Sequence, residues 1–483
     1  MISRIGELIR RKRFLAILFL VLHIGGFISS IDAVMRARTS QGAIAWVISL
    51  NTIPIVSLPA YWVLGRTKFQ GYVLTRQQDD SELSHVVSKK MNDKKEFISD
   101  LSSNYPAVRA AELLADLPLS TGNSTELLID GEATFKSIFE GVEQANEYVL
   151  VQFYIVKGDD LGRELKDRLI LKAREGIDVY FLYDEIGSHK LPESYLEELR
   201  LSGVQAVNFH SQKGPRNRFQ INFRNHRKIV VVDGISSWVG GHNVGDEYLS
   251  KGDKFDYWRD THMKIEGPAT LAVQLSFIED WHWATEEILD LDWQRAFDHY
   301  DDKHILVIPS GPADKFETAG LMFTHAINSA KKRIWIASPY FVPDESIVSA
   351  LQLAGLRGVD VRILIPDEPD HLLVYLAAFA YFQEAEDTGV QFYRYTNGFM
   401  HQKAMLIDDS VSGIGTANFD NRSFRLNFEI TAMVVDRDFN KEVEQMFLDD
   451  FHNSSIMESG AYSTKPFWFK LAVRLANLTS PML

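Results

Sequence analysis

The stretch HRKIVVVDGISSWVGGHN (226–243) decides how this chain folds, because a second stretch, HQKAMLIDDSVSGIGTAN (401–418), repeats its pattern. Measured from the first histidine of each stretch, both place lysine at +2, aspartate at +7, glycine at +14 and asparagine at +17. A single H-x-K-x4-D match arises by chance in about one chain in twenty of this length. Two matches that share the glycine and the asparagine therefore indicate a duplicated unit. The matched residues are His226, Lys228, Asp233, Gly240 and Asn243, and His401, Lys403, Asp408, Gly415 and Asn418.

The elements that precede each stretch also recur in the same order. In each series an apolar run rich in β-branched and aromatic residues, a helical pattern and a second apolar run follow one another, which is typical of a parallel βαβ unit. The first series is YVLVQFYIV (148–156), LGRELKDRLILKAREG (161–176) and IDVYFLYD (177–184); the second is RIWIASPYFV (333–342), SIVSALQLAGLRG (346–358) and VDVRILIPD (359–367). The sequence therefore predicts an α/β fold of two pseudo-symmetric repeats with mixed sheets, over 126–305 and 306–455.

Strand alternation adds geometry to the repeated pattern. Residues at i and i+2 of a strand share a face, so His226 and Lys228 should point to the same side, and so should their counterparts in the second stretch. The aspartate at +7 has the opposite parity and follows an apolar run. We therefore expect Asp233 and Asp408 to face away from the histidines and to support the end of the strand.

Composition and charge exclude several classes of protein. The chain has 483 residues, no cysteine and a net charge of −14. Without cysteine there are no disulfides, thiolate zinc sites, iron–sulfur clusters or cysteine nucleophiles. Residues 1–76 hold ten basic and two acidic residues, so the rest of the chain is even more acidic than the whole. Such an acidic body argues against a general nucleic-acid-binding protein, which gains most of its affinity by neutralising phosphates.

Two uncharged segments near the amino end, 14–31 and 39–65, are long enough to cross a hydrocarbon core of roughly 30 Å. They predict a membrane hairpin over 1–65, with helices at about 14–34 and 42–64. The distribution of lysine and arginine places both ends of the hairpin in the cytoplasm. Two alternatives stay open: the first segment could be a secretory signal, and the second, which contains Pro54 and Pro59, could be re-entrant. Residues 66–125 are predicted to be a linker.

The paired residue types suit a phosphodiester substrate. Lysine ammonium groups offset the charge of the non-bridging oxygens, and the amides of Asn243 and Asn418 can donate hydrogen bonds to the same atoms. One imidazole can attack phosphorus while the other, protonated, gives its proton to the leaving alcohol. Such a site requires no metal and no other cofactor.

With this double signature the chain resembles the phospholipase D superfamily, and within it the bacterial cardiolipin synthases. Beyond the signature, the similarity is carried by GGHNVGDEYL (240–249), YWRDTHMKIEGPA (257–269), SPYFVPDE (338–345) and GTANFDNRSFRLNFE (415–429). The resemblance covers nearly the whole chain. It implies two phospholipase D-like α/β/α repeats preceded by the hairpin, in a multi-pass protein of the bacterial inner membrane whose catalytic part is cytoplasmic.

The activity that the resemblance implies is reversible phosphatidyl transfer between two phosphatidylglycerol molecules, giving cardiolipin and glycerol through a covalent phosphohistidine. It also implies a catalytic set, substrate-binding Asn243 and Asn418, and acidic residues beyond each motif that orient the histidines. Glu429, at +28 from His401, matches such a position, whereas the first half has Lys254 there, so Asp260 is the candidate. The implied catalytic residues are His226, Lys228, Asp233, His401, Lys403 and Asp408.

The sequence leaves open which histidine is the nucleophile, what the second donor is and which related function the protein has. The resemblance to the superfamily favours His226, the first of the two histidines, as the nucleophile. The near-identical motifs themselves do not decide between the two. The expected partners are phosphatidylglycerol and anionic membrane lipids rather than nucleic acid; neither the second donor nor the oligomeric state follows from the sequence. The alternative functions are a phospholipase D-type hydrolase, another phosphatidyltransferase such as a phosphatidylserine synthase, and a nuclease of the same fold.

Two basic segments add expectations about lipid contact. Lys213, Arg216, Arg218 and Arg224 precede the first motif, as a collar for anionic head groups or as a solvated loop. The tail 456–483 contains KPFWFKLAVRLANL (465–478), a basic and aromatic segment that can form an amphipathic helix. Such a helix lies in the membrane interface or docks on the protein's own surface.

Overall fold

A computed structural model of the chain describes residues 2–65, 68–69, 71–72, 95–209, 222–293, 297, 301–458, 460 and 462–483. The chain divides into two units, one formed by 1–74 and 211–223 and the other by 75–210 and 224–483. The described part of the first unit is helical, whereas the second is a mixed α/β unit that carries both signature stretches.

Residues 2–64 of the first unit form three helices: α1 (Ile2–Arg36), α2 (Ser40–Thr52) and α3 (Pro54–Leu64). Within the described residues one helical stretch, Arg10–Arg36, is long and apolar enough to cross a membrane. Tyr61 on α3 donates a hydrogen bond of 2.7 Å to Asp32 on α1. A Cβ on Gly26 would lie 2.2 Å from the Leu50 carbonyl oxygen, so this glycine lets α1 and α2 approach closely.

The second apolar segment differs from the expectation of one helix over 42–64. It is broken at Ile53, where φ is −133° and ψ is 57°, and α3 begins at the next residue. Pro54 causes the break, because proline has no N–H to donate and its ring disfavours helical backbone at the residue before it. The two pieces have 13 and 11 residues, each shorter than the ~20 residues that a helix needs to span a bilayer.

The described helices of the second unit begin before its first strand and continue after its last. They are α4 (Leu101–Asn104), α5 (Pro106–Ala115), α6 (Asp130–Glu143), α7 (Asp160–Arg174), α8 (Glu193–Leu201), α9 (Ala269–Thr285), α10 (Thr318–Ser329), α11 (Glu345–Leu356), α12 (Leu372–Glu386), α13 (Asn421–Arg425), α14 (Arg437–His452) and α15 (Phe467–Asn477). Short 3₁₀ turns occur at Lys95–Phe97, Asp246–Leu249 and Ser480–Met482. Several of the longer helices are amphipathic, and α7 buries Leu161, Leu165 and Leu169 along one face, as the helical spacing predicts.

The strands of the second unit are β1 (Ser120–Ile129), β2 (Tyr148–Phe153), β3 (Asp178–Asp184), β4 (Gln205–Phe209), β5 (Arg224–Asn225), β6 (Ile229–Val232), β7 (Ser236–Gly240), β8 (Trp258–Arg259), β9 (Thr261–Glu266), β10 (Lys303–Ser310), β11 (Arg333–Ala337), β12 (Phe341–Val342), β13 (Asp360–Pro366), β14 (Gln391–Tyr395), β15 (Phe399–Met400), β16 (Ala404–Ile407), β17 (Val411–Gly415), β18 (Phe419–Asp420), β19 (Asn427–Val435) and β20 (Ser454–Ile456). Sixteen of them form one sheet in the order β20-β14-β13-β11-β16-β17-β19-β10-β1-β9-β7-β6-β2-β3-β4, with β5 paired to β19.

The antiparallel pair β1 and β10 lies at the middle of this sheet. Outward from β1 the order is β9, β7, β6, β2, β3 and β4, and outward from β10 it is β19, β17, β16, β11, β13 and β14. The two βαβ units predicted from the sequence are present, since β2 and β3 pair in parallel and so do β11 and β13. All six residues of β2 are buried, as expected for a strand covered on both faces.

The predicted linker 66–125 requires a correction. Its described part contains α4 and α5 and the first half of β1, which starts at Ser120. β1 pairs with β10 at one end and with β9 along the rest of its length. Pairing with two neighbours outweighs the weak strand propensity of the Gly, Ser and Thr residues at 120–125, and local composition cannot reveal such tertiary pairing. The first half of the sheet therefore starts before residue 126.

Candidate active site

Each signature histidine is held by a strand from the half of the α/β unit to which the histidine does not belong. The residues before His226 form β5, which pairs in parallel with the start of β19, and the His226 N–H donates to the Phe428 carbonyl at 2.9 Å. The residues before His401 form β15, which pairs with β8, and the His401 N–H donates to the Arg259 carbonyl at 2.8 Å. These backbone bonds hold each histidine beside the acidic residue that follows its acceptor.

The two acidic residues are exchanged between the halves. Glu429 Oε2 lies 2.9 Å from His226 Nδ1, and Asp260 Oδ2 lies 2.7 Å from His401 Nδ1. A carboxylate at Nδ1 holds the imidazole proton on that nitrogen and leaves Nε2 free to react. The sequence indicated these two acids as orienting residues, but its spacing contains nothing that shows which histidine each one contacts.

Glu429 and Asp260 are themselves fixed. Thr416 donates to Glu429 Oε2 at 2.6 Å, and the Asn427 amide donates to Oε1 at 3.1 Å. The Thr261 N–H donates to Asp260 Oδ1 at 2.8 Å. Gly241 packs against this carboxylate, because a Cβ there would lie 2.0 Å from Asp260 Oδ1. Threonine, asparagine and glycine therefore position the acids, and the repeated pattern alone gave no signal for Thr416 or Asn427.

Both signature lysines are buried beside the histidines. Lys228 Nζ donates to the His226 carbonyl at 2.7 Å and lies 5.4 Å from the centre of the Tyr154 ring. Lys403 Nζ lies 3.0 Å from His401 Nδ1 and donates to the His401 carbonyl. The predicted grouping of histidine and lysine at i and i+2 is therefore present in both halves, although β6 and β16 begin only after the lysines.

Burial and neighbouring charge set the protonation of the imidazoles. Burial lowers the pKa of His226 to about 4; Glu429 opposes this shift, and Lys228 and Lys403 add to it. Burial also lowers the pKa of His401 to about 4, where Lys403 and Lys228 add to the shift and Asp260 opposes it. Lysines of both halves thus act on both histidines, which places the four side chains in one electrostatic environment.

Burial also shifts the pKa values of the lysines and of the two acids. Burial lowers the pKa of Lys228 well below its ordinary value and that of Lys403 to about 8. Burial alone would raise the pKa of Glu429, but His226 and Lys228 hold it below its usual value. Burial would likewise raise the pKa of Asp260, and the neighbouring histidines and Lys403 outweigh it, so the net shift is downward. Both carboxylates are therefore ionised at neutral pH.

The two asparagines predicted to bind substrate have different surroundings. Asn243 Oδ1 accepts the Ile155 N–H at 3.0 Å, and its Nδ2 donates to the Tyr248 hydroxyl at 3.1 Å. The carbonyl oxygen of the Asn418 side chain is buried and has no hydrogen-bond partner among the described residues. A buried amide without a partner for its carbonyl is costly unless a ligand or water completes it. The unpaired atom of Asn418 is an acceptor, so the group that completes it is a hydrogen-bond donor of a ligand or a water.

The signature aspartates lie at the far ends of the strands. Both have positive φ, 52° at Asp233 and 49° at Asp408. The Asp233 carboxylate accepts the N–H groups of residues 146, 147 and 148, each at 2.8 Å, at the start of β2. Asp408 accepts those of residues 331, 332 and 333 at the start of β11. Both aspartates thus bind backbone at the strand ends, as strand parity predicts. Neither aspartate lies beside a histidine.

Replacing Asp233 by alanine is therefore expected to reduce stability more than chemistry. The change leaves three backbone N–H groups without their acceptor and puts alanine at positive φ, so we expect a loss of about 2–3 kcal/mol in the free energy of unfolding. Thermal unfolding in detergent tests this, with Asp253→Ala, in an exposed loop, as the matched control. An unchanged unfolding curve together with a kcat as low as that of a His226→Ala variant would instead assign Asp233 a catalytic role.

Aromatic side chains flank the two histidines. The ring centre of Tyr154 lies 4.9 Å from that of His226, with the planes at 64°. Trp258 lies 5.1 Å from His401 in a similar tilt, and Phe399 lies 5.9 Å from it. The repeat gave no signal for Trp258, because the equivalent residue in the second half, two positions before Glu429, is Asn427. From the sequence, Tyr154 is only an aromatic residue near the end of a predicted strand.

Part of the predicted basic collar lies outside the described residues, namely Lys213, Arg216 and Arg218. Arg224 is described and forms the first residue of β5. Within the part of the chain that the structure describes, no three His, Asp or Glu side chains are grouped so as to hold a metal ion. A reaction without metal stays a prediction.

Comparison with known proteins identifies the family. A family model described as cardiolipin synthase, phospholipase D-like domain, matches residues 323–451. The chain is 48% identical over 469 residues to cardiolipin synthase A of Pseudomonas putida strain W619, covering 96% of this chain and 97% of that protein. It is 48% identical over 476 residues to cardiolipin synthase A of Pseudomonas entomophila strain L48, covering 97% of this chain and 98% of that protein.

A solved structure shows the same fold at low sequence identity. The crystal structure of phosphatidylserine synthase from Haemophilus influenzae Rd KW20 matches with a TM-score of 0.58 and 16% identity, covering 78% of this chain and 100% of that chain. The resemblance predicted from the double signature is confirmed by the full-length relatives. The chain belongs to the cardiolipin synthase family, whose members carry a phospholipase D-like domain.

Proposed function

We propose that this protein is a phosphatidyltransferase that makes cardiolipin from two molecules of phosphatidylglycerol and releases glycerol. The observation that carries the proposal is the exchange of carboxylates between the halves, Glu429 to His226 and Asp260 to His401. It supports a pair of imidazoles held by both halves with Nε2 of each free to react. The membership of the chain in the cardiolipin synthase family supports this substrate class.

In the first half of the proposed reaction, Nε2 of one histidine attacks the phosphorus of phosphatidylglycerol. A nitrogen–phosphorus bond forms, the bond from phosphorus to the head-group glycerol oxygen breaks, and the other histidine gives its proton to that oxygen. In the second half, the now neutral imidazole takes a proton from a glycerol hydroxyl of a second phosphatidylglycerol. That oxygen attacks phosphorus, the nitrogen–phosphorus bond breaks, and cardiolipin leaves.

The charges of the site suit this sequence. Both imidazoles have a pKa of about 4, so a nucleophile is neutral at pH 7 without further change. An anionic phosphodiester next to the other imidazole raises its pKa, because a nearby negative charge favours the protonated form. We propose that Lys228 and Lys403 stabilise the charge on the non-bridging oxygens and that the side-chain NH₂ groups of Asn243 and Asn418 donate hydrogen bonds to the same oxygens. Asp233 and Asp408 act through the backbone that they hold.

We further propose the arrangement of the whole chain. The matching strand orders on the two sides of β1 and β10 support two pseudo-symmetric repeats, the first beginning with β1 and the second spanning 306–455. The two uncharged segments, 14–31 and 39–65, support a membrane hairpin whose second arm is broken at Ile53, in a multi-pass protein of the bacterial inner membrane. The basic residues that flank the hairpin support a cytoplasmic location for the catalytic part.

The product formed from phosphatidylglycerol tests the proposal. The purified full-length protein, given only phosphatidylglycerol and a chelator, is expected to release glycerol and cardiolipin in equal amounts. Thin-layer chromatography of the lipids and an enzymatic glycerol assay measure the two products. Phosphatidic acid as the main product would mean that water is the acceptor and that the protein is a hydrolase. Loss of turnover in chelator, restored by a divalent cation, would contradict the metal-free mechanism.

A further inference from the structure

The carboxyl-terminal helix α15 has two apolar faces. One face packs on α12: Val473 and Ala476 are buried, and Phe469 meets Phe379 with ring centres 5.1 Å apart. A helix on the surface of a soluble unit needs only this one apolar face. A second apolar face therefore requires its own explanation.

The second face points to solvent. Trp468 is 75% exposed, Leu475 57% and Leu478 76%. At 100° per residue these positions, together with Phe467 and Leu471, cover an arc of roughly 100°, separate from the face that packs on α12. Exposed side chains that lie singly on a surface carry little meaning, but a contiguous apolar stripe marks a surface that binds something.

The stripe continues onto the start of α12. The two helices run antiparallel. Gly460, which precedes α15, donates its N–H to Glu386 at the end of α12 at 3.0 Å. Ala476, near the end of α15, belongs to one apolar cluster with Val374, near the start of α12. Leu372 and Leu373, 67% and 45% exposed, therefore lie at the carboxyl end of α15. We call these exposed residues together the outer apolar face. It comprises Phe467, Trp468, Leu471, Leu475, Leu478, Leu372 and Leu373.

The charges around this face indicate what kind of partner it binds. Residues 459–483 contain no aspartate or glutamate, although the whole chain has a net charge of −14. The basic residues of this segment are Lys465, Lys470 and Arg474. On the helix, Lys470 and Arg474 come between the buried face and the exposed one, along one border of the stripe. Exposed tryptophan and leucine bordered by lysine and arginine are typical of a helix that lies in the interface of an anionic bilayer.

Residues next to the outer apolar face contact segments that lead to the candidate active site. The carbonyl oxygen of Leu483 accepts the N–H of Arg422, in the helix α13 that follows Asn418, at 2.7 Å. At the start of α12, Asp370 accepts the Tyr340 hydroxyl at 2.6 Å, and its carbonyl accepts Lys254 Nζ at 3.1 Å. Lys254 lies in the loop that leads to Trp258, beside His401. A partner seated on this face would therefore lie close to the edge of the site.

We propose that the outer apolar face is a docking surface for the anionic bilayer, inserted among the head groups so that the site faces the lipid layer from which its substrate comes. This goes beyond the proposed reaction, since it concerns where the α/β unit binds and not what it catalyses. Both alternatives predicted for the amphipathic tail would then hold. One face of α15 packs on the protein, and the other contacts lipid.

Spin labels test this surface directly, and the absence of native cysteine makes single-site labelling straightforward. Trp468→Cys and Leu475→Cys variants of the full-length protein, each labelled with a nitroxide, are reconstituted into vesicles of phosphatidylglycerol and phosphatidylethanolamine. Both labels are expected to become accessible to oxygen and protected from a water-soluble nickel complex. The matched control is Leu201→Cys, at a position 89% exposed on α8, whose label should stay accessible to the nickel complex.

Two results would overturn the proposal. Labels at 468 and 475 that remain as accessible to nickel as the control would show that the face lies in water. Dipolar coupling between labels of two molecules, present in detergent as well as in vesicles, would show that a second copy covers the face.

A second measurement separates this proposal from the proposed reaction. Trp468→Glu with Leu475→Glu is expected to lower the rate on phosphatidylglycerol in vesicles by about tenfold or more, since each loses an apolar side chain from the interface. The rate on dispersed short-chain phosphatidylglycerol should equal that of Leu201→Glu. Equal loss on both substrates would mean that the substitutions damage the enzyme itself. No turnover by any variant would contradict the reaction, while the spin labels still report on the surface.

Discussion

Replacing either His226 or His401 by alanine is expected to lower kcat by at least about a thousandfold, because the nucleophile and the acid act as one unit. Neither imidazole can substitute for the other, since each is held by the carboxylate of the opposite half, at 2.9 Å for His226 and 2.7 Å for His401. Initial rates of cardiolipin formation by the purified full-length variants provide the measurement.

The control for these variants is His189→Ala. His189 is exposed, and its Nδ1 contacts only the nearby Ile186 carbonyl among the hydrogen bonds of the described residues. This variant should retain the rate of the parent protein. If His226→Ala or His401→Ala kept about half of the parent rate, each half of the protein would work by itself. That result would contradict the shared site.

The second large effect concerns the exchanged carboxylates. Asp260→Asn and Glu429→Gln are each expected to lower kcat by about a hundredfold or more with little change in KM. An amide cannot hold the proton on Nδ1 as a carboxylate does, and its NH₂ group can donate to that nitrogen and reverse the tautomer. Both side chains are fully buried, so water does not replace the lost carboxylate.

The pH dependence of these variants identifies which histidine each acid serves. Glu429 raises the pKa of His226 and Asp260 raises that of His401, against burial in both cases. Removing the carboxylate therefore lowers the pKa of its histidine, so the limb of the pH–kcat profile that this histidine controls moves to lower pH. This sign is the same whether the histidine acts as nucleophile or as acid.

Glu266→Gln is the matched control for the carboxylate variants, because Glu266 pairs with Lys264 at 2.8 Å away from the histidines. It should leave both kcat and its pH profile unchanged. If Asp260→Asn and Glu429→Gln instead shifted the same limb of the profile, the two acids would not serve different histidines and the exchange between the halves would be wrong.

Sequence periodicity predicted the repeated part of the fold because its signals are local. The apolar runs at β2, β3, β11 and β13 and the helical patterns between them are set by side chains within each segment. β1 was missed because the residues at 120–125 become a strand only through pairing with β9 and β10. The break at Ile53 had a local signal in Pro54, which the sequence alone could not distinguish from a tolerated proline.

In the candidate site, too, the local features could be predicted from the sequence and the tertiary contacts could not. Spacing alone placed histidine and lysine on one side and turned Asp233 and Asp408 away from them, as the structure does. The exchange of Glu429 and Asp260 has no local signal, because it arises from the pairing of β5 with β19 and of β15 with β8. Supporting contacts such as Thr416 to Glu429 likewise depend on tertiary structure.

The number of phosphatidyl groups trapped on each chain tests the shared site most directly. The full-length protein is mixed with phosphatidylglycerol, quenched at alkaline pH within one turnover to preserve the nitrogen–phosphorus bond, and analysed by intact mass and peptide mapping. We predict one phosphatidyl group per chain, on a single histidine that is either His226 or His401, and none in the alanine variant of that residue. Two groups per chain, or turnover with no group trapped on either histidine, would contradict a single site built by both halves.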